Sequence, residues 1–246
     1  MTDSVAHRTV RSLGTILGVW AHPDDECYLS AGLMAVARET GARVVCVTAT
    51  RGERGTDDPG NWPPDRLAPV REQELDRSMS ILGVDEHRWL DHCDGEVGEV
   101  PDEVGVVQLE EIIAEVRPDT VITFGPDGMT GHCDHVTVGR WATLAAQRVD
   151  GGARVLHAAT DCSVLADVDH HFDTFPVYGD DGPPMVSRDS AALVLELPES
   201  IIEQKIAALR AQASQTEPLV AHMGEVDYRR WVSVEVFVDA PRLASG

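Results

Sequence analysis

The residues of this chain best suited to chemistry lie in two short polar clusters. The first cluster, His22-Pro23-Asp24-Asp25-Glu26, places one imidazole and three carboxylates within five residues. Adjacent buried carboxylates disfavour one another's ionisation, and a divalent cation removes that penalty. The cluster therefore predicts a metal site. The alternative, in which Asp24 or Asp25 only caps a following helix, explains a single acid and leaves the others unexplained.

The second cluster is His132-Cys133-Asp134-His135, which follows the glycine-rich segment GPDGMTG at 125–131. At the start of a helix, His132 and His135 would lie near one face. The glycines let the backbone approach a bound ligand closely. An isolated HxxH pattern is a weak indication, so the prediction depends on both clusters meeting at one place.

Together the clusters offer the parts of a metal-dependent hydrolase. Two histidines and one carboxylate can hold zinc and leave coordination positions open for water and substrate. The metal acidifies the water and polarises a carbonyl group. A spare aspartate can take the proton of the water, and a spare histidine can donate to the oxyanion or to the leaving amine. The residues alone leave open whether Asp24 or Asp25 is the ligand, and iron(II) suits the same set.

The surrounding sequence must bring the two clusters together. Each follows an apolar run typical of a buried strand, Thr15 to Trp20 for the first and Thr120 to Gly125 for the second. Such runs alternate with helical patterns, which predicts an α/β, Rossmann-like three-layer fold with a largely parallel sheet and extra β elements in the C-terminal third. Ligands bind at the carboxyl ends of the strands in such sheets. We therefore expect both clusters on one rim.

The hydrophobic periodicity also predicts the individual elements. The predicted strands are 15–20, 43–50, 87–91, 120–125, 153–160, 192–197 and 231–238, and the predicted helices are 26–40, 69–82, 104–116, 136–148 and 199–213. The alternation in 231–238 favours a half-exposed antiparallel strand near an edge. Because no segment has the composition of a linker, we predict one domain, 1–246.

Composition and charge restrict the partners. Lys and Arg number 20 against 42 Asp and Glu, a net charge of −22, which disfavours nucleic acid and anionic membrane surfaces. No segment approaches the roughly 18 apolar residues of a membrane helix, and the first residues do not resemble a signal peptide. The five scattered cysteines form no CxxC pair and suit a reducing cytoplasm. These features predict a cytoplasmic protein with a small-molecule partner and give no indication of oligomeric state.

The two clusters, together with TRGERG at 50–55 after the second predicted strand, resemble the LmbE-like (PIG-L-type) N-deacetylase family. The resemblance covers roughly residues 15–149, with a fainter echo in KIAALRAQASQ at 205–215. Members of this family remove acetyl groups from N-acetylglucosamine units, including phosphatidylinositol-linked and mycothiol-pathway substrates. The resemblance implies a zinc-dependent N-deacetylase acting on an amino-sugar substrate.

The resemblance also implies a role for each residue of the clusters. The implied zinc ligands are His22, Asp25 and His135. Asp24 is implied as the general base. His132 is implied to stabilise the oxyanion and to protonate the leaving amine, with Asp134 orienting it.

Charged residues on the same rim are candidates for binding sugar hydroxyls, with surface salt bridging as the alternative. They are Arg51, Glu53, Arg54, Arg71 and Asp94.

The chain also departs from the family pattern. Thr130 stands where the mycothiol-pathway enzymes carry a tyrosine. Cys133 replaces the usual proline of the motif, and Gln212 replaces a histidine that is often present. The exact acceptor and the acyl group therefore remain open.

Other classes of protein fit the sequence less well. His22, Asp24 and a distant histidine also match the facial triad of non-haem iron oxygenases, but the second aspartate then has no role. A Rossmann oxidoreductase needs GxGxxG after the first strand, and a base deaminase needs PCxxC; both motifs are absent. A sugar-binding protein with a structural metal remains an alternative. His170, His171 and His222 lie outside the motifs and are interpreted as structural.

Overall fold

The computed structural model describes residues 5–149, 151–179 and 182–241 of the 246-residue chain. Its strands are β1 (Ile16–Trp20), β2 (Val44–Thr48), β3 (Glu86–Trp89), β4 (Thr120–Phe124), β5 (Arg154–Asp161), β6 (Met185–Val186), β7 (Leu193–Glu196) and β8 (Val234–Asp239). Its α-helices are α1 (Val5–Arg11), α2 (Asp25–Glu39), α3 (Pro64–Leu82), α4 (Asp102–Val116), α5 (Cys133–Arg148), α6 (Cys162–Ala166), α7 (Glu199–Ala211) and α8 (Ala213–Trp231). None of the helices in the described residues is long and apolar enough to cross a membrane.

The strands form a single mixed sheet in the order β3-β2-β1-β4-β5-β8-β7, with β6 pairing only with β5. The five strands from β3 to β5 are parallel, whereas β8 is antiparallel to both β5 and β7. Every residue of β1, β2 and β4 is buried, as expected for strands covered on both faces. The α/β fold with a largely parallel sheet is confirmed.

The order of the strands creates a crossover point beside β1. From β1 the chain proceeds through α2, β2 and α3 to β3, and it then crosses back through α4 to β4 on the other side of β1. Right-handed crossovers in opposite directions place α2 and α3 on one face and α4 and α5 on the other. The loops after β1 and β4 therefore open a crevice between them, which is where open α/β sheets bind ligands.

Most predicted elements are found, and the differences have physical reasons. Helix α3 begins at Pro64, five residues before the predicted start, because proline at the first helical position sacrifices no hydrogen bond. Helix α8 was not predicted as an element, and it includes Trp231, which the alternating pattern assigned to a strand. Gly224 interrupts α8 with φ 74°, which breaks the helical periodicity of the sequence. The last strand is antiparallel as predicted, but β7 forms the edge.

A buried ion pair joins the C-terminal segment to the rest of the fold. The Lys205 Nζ donates to Glu235 Oε1 at 2.7 Å and to the Tyr28 carbonyl at 2.8 Å, and Lys205 is fully buried. Replacing Lys205 with methionine is expected to destabilise the protein by about 3 kcal/mol, because the Glu235 charge would remain buried without its partner. Thermal unfolding should then occur roughly 10 °C lower.

The exposed pair Arg148–Glu103 provides the control for this prediction, with an N–O distance of 3.0 Å. Arg148→Met should cost less than about 1 kcal/mol, because solvent screens exposed pairs. If Lys205→Met melts within 2–3 °C of the unmodified protein, the buried pair contributes little to stability.

His87 on β3 should make stability depend on pH. Burial, and then the charge of Arg51, lowers the pKa of His87 from 6.5 to about 4. The unfolded chain therefore binds the proton first, and stability falls as the pH drops from about 6.5 towards 4, by up to about 1.4 kcal/mol per pH unit. His87→Gln should flatten this dependence in urea-unfolding curves. Comparison of both proteins at pH 8 measures the packing change separately, and equal slopes below pH 6.5 would contradict the assignment.

Candidate metal centre and active site

The first cluster leaves the sheet at the carboxyl end of β1. His22 follows the strand, and Asp25 begins α2. The backbone N–H of His22 donates to Asp25 Oδ2 at 2.8 Å, so the turn holds both side chains against the sheet. Asp24 between them has φ 106°, a conformation that is costly for a residue with a Cβ and is enriched at functional sites. Its side chain makes no capping hydrogen bond, so the helix-cap interpretation fails for Asp24.

The second cluster begins α5 after β4, the neighbour of β1. Gly128 in this loop has φ +68°, and a Cβ there would lie 2.8 Å from the Val136 side chain. The glycine thus allows its carbonyl to lie 3.0 Å from His135 Nδ1. The ring of Phe124 stacks on His135 with centroids 4.3 Å apart. Backbone and aromatic contacts together fix the orientation of the His135 imidazole.

Potential donor atoms of three residues in the clusters lie close together. His22 Nδ1 lies 3.0 Å from His135 Nε2 and 3.8 Å from Asp25 Oδ2, and His135 Nε2 lies 3.3 Å from Asp25 Oδ1. Ligand atoms around a tetrahedral zinc ion with bonds of 2.0–2.2 Å are about 3.4 Å apart. The observed distances bracket this value, so His22, Asp25 and His135 fit a zinc-sized cation.

Both histidines also carry a partner on the nitrogen that faces away from this point. His22 Nε2 lies 3.0 Å from Asp94 Oδ1 and 3.2 Å from Asp134 Oδ2. His135 Nδ1 faces the Gly128 carbonyl. Each outer nitrogen therefore donates its proton, and each inner nitrogen presents a lone pair. This is the arrangement of metal-ligating histidines, whose outer N–H is held by a carboxylate or a carbonyl.

The electrostatics of the site favour an added positive charge. Burial opposes protonation of His22, but the hydrogen bonds to Asp134 and Asp94 and the charge of Asp25 outweigh it and raise its pKa to about 10. Either a proton on Nδ1 or a divalent cation satisfies this field. Burial lowers the pKa of His135 to about 4. The nearby His22 and His132 lower it as well, whereas the charge of Asp25 raises it. The His135 imidazole is therefore neutral at pH 7. A neutral imidazole is the form that binds metal.

Asp24 lies beside the three donors with no ligand role in this geometry. Its carboxylate is 3.5 Å from the Arg71 guanidinium, and its backbone N–H donates to Glu26 Oε2. Burial raises the pKa of Asp24 to about 8; Arg71 lowers it, whereas Asp25 and Glu26 raise it further. A carboxylate with a pKa near neutrality suits proton abstraction.

Asp134 contacts His132 through its backbone and His22 through its carboxylate. The carboxylate of Asp134 is fully buried, accepts from the backbone of Gly95 and Val97, and contacts His22. Only its backbone N–H reaches His132, donating to Nδ1 at 3.2 Å. The backbone N–H of Asp134 thus fixes the orientation of the His132 ring at the start of α5. Because Nδ1 accepts this hydrogen bond, the proton of the ring lies on Nε2. The Asp134 carboxylate orients the proposed metal ligand His22 instead.

Two of the predicted substrate-binding residues, Arg51 and Glu53, form contacts with other groups of the protein. Arg51 pairs with Glu72 at 2.7 Å and with Asp91, and its guanidinium lies 4.3 Å from the Trp89 ring centre. Glu53 accepts from the backbone N–H of Asp94. Neither residue is among those that line the cavity beside His22 and His135. Arg51 thus makes the salt bridges that were the alternative, and Glu53 supports the Asp94 loop. Sugar binding by either residue stays a prediction.

The other three substrate candidates line a cavity of about 370 Å³ beside the metal donors. Arg54 reaches it from an exposed position and also pairs with Glu96. Arg71 is buried and donates to the Gly52 and Pro23 carbonyls. Its position therefore favours a contact with the Asp24 carboxylate over a hydrogen bond to a sugar. One carboxylate oxygen of Asp94 contacts His22, and the other accepts from the backbone N–H of Arg54. Substrate contact by these residues stays a prediction.

This space, hereafter the polar cavity, is bounded by both clusters. Its lining residues include His22, Asp24, Asp25, Arg54, Arg71, Asp94, Thr130, His132, His135 and Gln215. One ring nitrogen of each of His22, His132 and His135 lies within 4.8 Å of the other two. Proton donors, a proton acceptor and metal donors thus face one volume large enough for a sugar.

Some residues that support the site could not be identified from the local sequence. Gln212, at the junction of α7 and α8, donates to the buried Glu26 carboxylate, which in turn holds the Asp24 backbone. Glu26 belongs to the first cluster and Gln212 to the C-terminal echo, but only the fold shows that they meet. Thr130, which replaces the family tyrosine, lies 3.1 Å from His135 Nδ1.

The histidines outside the motifs lie outside the polar cavity. His171 pairs with Asp227 at 3.0 Å, and His222 contacts the His171 carbonyl. These contacts are consistent with their structural interpretation.

Comparison with known proteins gives the family. Residues 17–146 match the family described as PIG-L: GlcNAc-PI de-N-acetylase. A 1D-myo-inositol 2-acetamido-2-deoxy-alpha-D-glucopyranoside deacetylase from Corynebacterium glutamicum strain R is 32% identical, with 84% of this chain and 80% of the relative covered. A relative of the same name from Kineococcus radiotolerans is 40% identical over 50% of this chain and 42% of its own length.

Solved structures show the same fold at low identity. An N,N'-diacetylchitobiose deacetylase from Pyrococcus horikoshii superposes with a TM-score of 0.62 at 21% identity, covering 97% of this chain and 90% of its own. The zinc-inhibited form of teicoplanin deacetylase Orf2 gives 0.65 at 17% identity, with 92% and 98% covered. The 4-carboxy-2-hydroxymuconate hydratase GalB from Pseudomonas putida gives 0.63 at 19%, with 95% and 99% covered, so the fold alone does not fix the reaction. The family match over residues 17–146 and the 32% identity over most of the chain show that the chain belongs to the PIG-L de-N-acetylase family.

Proposed function

We propose that this protein is a metal-dependent N-deacetylase that hydrolyses the N-acyl amide of an N-acetylglucosamine-type sugar or glycoconjugate. The observation that carries the proposal is the convergence of His22 Nδ1, His135 Nε2 and Asp25, with the unligated Asp24 in the same cavity. A facial-triad oxygenase leaves Asp24 without a role. A purely structural metal needs neither Asp24 nor His132, and family membership supports hydrolysis over both alternatives.

The metal we propose is zinc, held by His22, Asp25 and His135, with iron(II) as the second candidate because the same donors suit it. Such an ion supplies a Lewis acid that acidifies water and polarises the amide carbonyl. Asp94 and Asp134 hold His22 in the tautomer that directs Nδ1 inward.

Asp24 acts in this proposal as the general base. It takes a proton from the attacking water, and its raised pKa supports the later return of that proton towards the amine. Arg71 and Glu26 hold its carboxylate and its backbone in place.

His132 faces the same cavity and donates from Nε2. Because Nδ1 accepts from the Asp134 backbone, Nε2 presents its proton to the developing negative charge on the amide oxygen. This role needs no change in the protonation of His132. Its second implied role, protonation of the leaving amine, is part of the proposal as well.

The substrate we propose is a small amino-sugar derivative. The names of the relatives, which are inositol-linked N-acetylglucosamine deacetylases, support this class. The net charge of −22 argues against nucleic acid and anionic lipid as partners. The five cysteines are all unpaired, which supports the reducing cytoplasm as its location.

The test is amine release from methyl N-acetylglucosaminide, N-acetylglucosaminyl-inositol and diacetylchitobiose. The protein is stripped with a chelator, dialysed and reloaded with zinc, or with iron(II) under anaerobic conditions. We expect release only from the reloaded protein, and the better metal identifies the cofactor. Bound metal with no release from any substrate would favour the sugar-binding alternative, and failure to bind metal would overturn the proposal.

A further inference from the structure

A second cavity, of about 240 Å³, is lined in part by Asp25 and His135, two of the proposed metal ligands. It lies between β5, β8, α8 and the segment 175–178, and is hereafter the apolar cavity. Asp25, Thr130 and His135 line both cavities, so the two spaces meet at the proposed metal centre. The apolar cavity is thus part of the same site.

Aromatic and aliphatic side chains make most of the wall of the apolar cavity. Representative residues are Phe124, Ala159, Phe175, Leu219, Trp231 and Val236. A wall of this kind favours an apolar occupant, because each buried methylene group contributes about 0.8 kcal/mol.

The polar groups in this wall already have partners. Asp161 accepts from Arg188 and Ser163. Glu235 pairs with Lys205, and the Thr160 hydroxyl donates to the Met129 sulfur. None of the buried side-chain atoms left without a partner in the described residues belongs to this wall. Apart from the proposed metal ligands Asp25 and His135, the polar groups named here therefore need no polar ligand.

The proposed chemistry assigns one side of the substrate to each cavity. Asp24 and His132, which handle protons during hydrolysis, line only the polar cavity. The leaving amine must lie on their side, together with its sugar. The remaining substituent of the carbonyl carbon, the acyl chain, then points away from them, past Asp25 and His135 and into the apolar cavity.

We propose that the apolar cavity binds the acyl chain of the substrate and that the enzyme prefers medium-length N-acyl groups, of about six carbons, over acetyl. This inference rests on the proposed amide hydrolysis. The amide C–N bond breaks as a C–O bond to water forms, and the products are a carboxylate and the sugar ammonium. Both protons of the water are transferred in net to the amine nitrogen, one through Asp24 and the other through His132. An apolar cavity of about 150 Å³ is enough to hold benzene, so 240 Å³ accommodates a chain of roughly six carbons.

The experiment compares two substrate series on the zinc-loaded protein. In the first, methyl glucosaminide carries acetyl, butyryl, hexanoyl, octanoyl or dodecanoyl on its nitrogen. The expected kcat/KM rises about fourfold per methylene group up to hexanoyl or octanoyl and then stops rising. In the second series, the N-acetyl group is kept and the glycoside is lengthened from methyl to octyl, and here the rate is expected to stay level.

A matched pair of variants locates the effect. Ala159→Leu fills the apolar cavity, whereas Ala153→Leu makes the same change just before β5, outside both cavities. Ala159→Leu is expected to lower the ratio of hexanoyl to acetyl turnover at least fivefold, and Ala153→Leu to leave that ratio unchanged. Thermal unfolding of both variants shows whether either is damaged as a whole.

Calorimetry provides a readout that does not depend on turnover. Hexanoate should bind the zinc-loaded protein at least tenfold more tightly than acetate, and Ala159→Leu should remove that difference. Equal turnover of all acyl lengths, with acetyl substrates still hydrolysed, would overturn the inference and leave the proposed function standing. A rate that depends on glycoside length instead would assign the cavity to the aglycone. No hydrolysis of any substrate, with hexanoate still preferred, would overturn the proposed function and retain the cavity as an apolar binding site.

Discussion

Replacing Asp24 with asparagine is expected to lower kcat about a thousandfold while metal binding is retained. Asparagine has the same shape and also tolerates the positive φ of this position, so the turn after β1 should persist. It cannot accept a proton, and a positioned general base contributes about 10²–10⁴ in rate. The measurement is kcat for amine release together with the metal content of the purified variant.

The pH profile provides a second readout of Asp24. The proposed general-base role makes the ionised carboxylate of Asp24 the active form, so the activity of the unmodified enzyme should rise as the pH increases through the pKa of this group. Burial raises that pKa to about 8, and the charge of a bound divalent cation should bring it lower. The residual activity of Asp24→Asn should not show this rise with pH.

Asp57→Asn, at an exposed aspartate of the loop after β2, is the control and should retain full activity. Loss of metal from Asp24→Asn would instead make Asp24 a ligand. Retention of a tenth or more of the activity would assign the base to another group.

Replacing His135 with glutamine is expected to weaken zinc binding by more than about a hundredfold and to reduce amine release to background. Loss of residues that only support a metal ligand costs 10–100-fold in affinity, and loss of a ligand itself should exceed this. Phe124 stacks on the ring and the Gly128 carbonyl holds its outer nitrogen, so no other side chain can take its place without moving. Titration with a competing chelator measures the affinity.

His92→Gln is the matched control, because His92 contacts Gln108 and does not line either cavity. This variant should bind zinc and turn over substrate normally. If His135→Gln retains tight zinc binding, the proposed ligand set is wrong, and the second group of potential donors, His22, Asp94, His132 and Asp134, becomes the candidate.

Charge and shape divide the rim of the sheet into two functional halves. The polar half gathers Asp24, His132 and Arg54, and the apolar half gathers Phe175, Trp231 and neighbouring side chains. A deacetylase and a hydratase share this fold, so the fold alone does not fix the reaction.

The two clusters could be recognised from the sequence alone, because their chemistry is local. His22 and Asp25 are three residues apart, as are His132 and His135, and each pair follows an apolar run. Hydrophobic periodicity likewise predicted the alternation of strands and helices, because burial on both faces requires continuous apolar segments. The order of the strands is not local information. The local sequence does not predict that β4 pairs with β1, which brings His22 Nδ1 to 3.0 Å from His135 Nε2.

The partners of individual side chains were decided only by the tertiary structure. Asp134 and Asp94 are both acids on the rim in the sequence, yet both point at His22. Arg51 and Arg54 lie three residues apart, and one stacks on Trp89 while the other reaches the polar cavity. The apolar cavity combines side chains from β5, β8 and α8, whose apolar patterns are those of any core element. The sequence determined which chemistry is available, and long-range packing determined which side chains face it, because contact partners depend on the whole path of the chain.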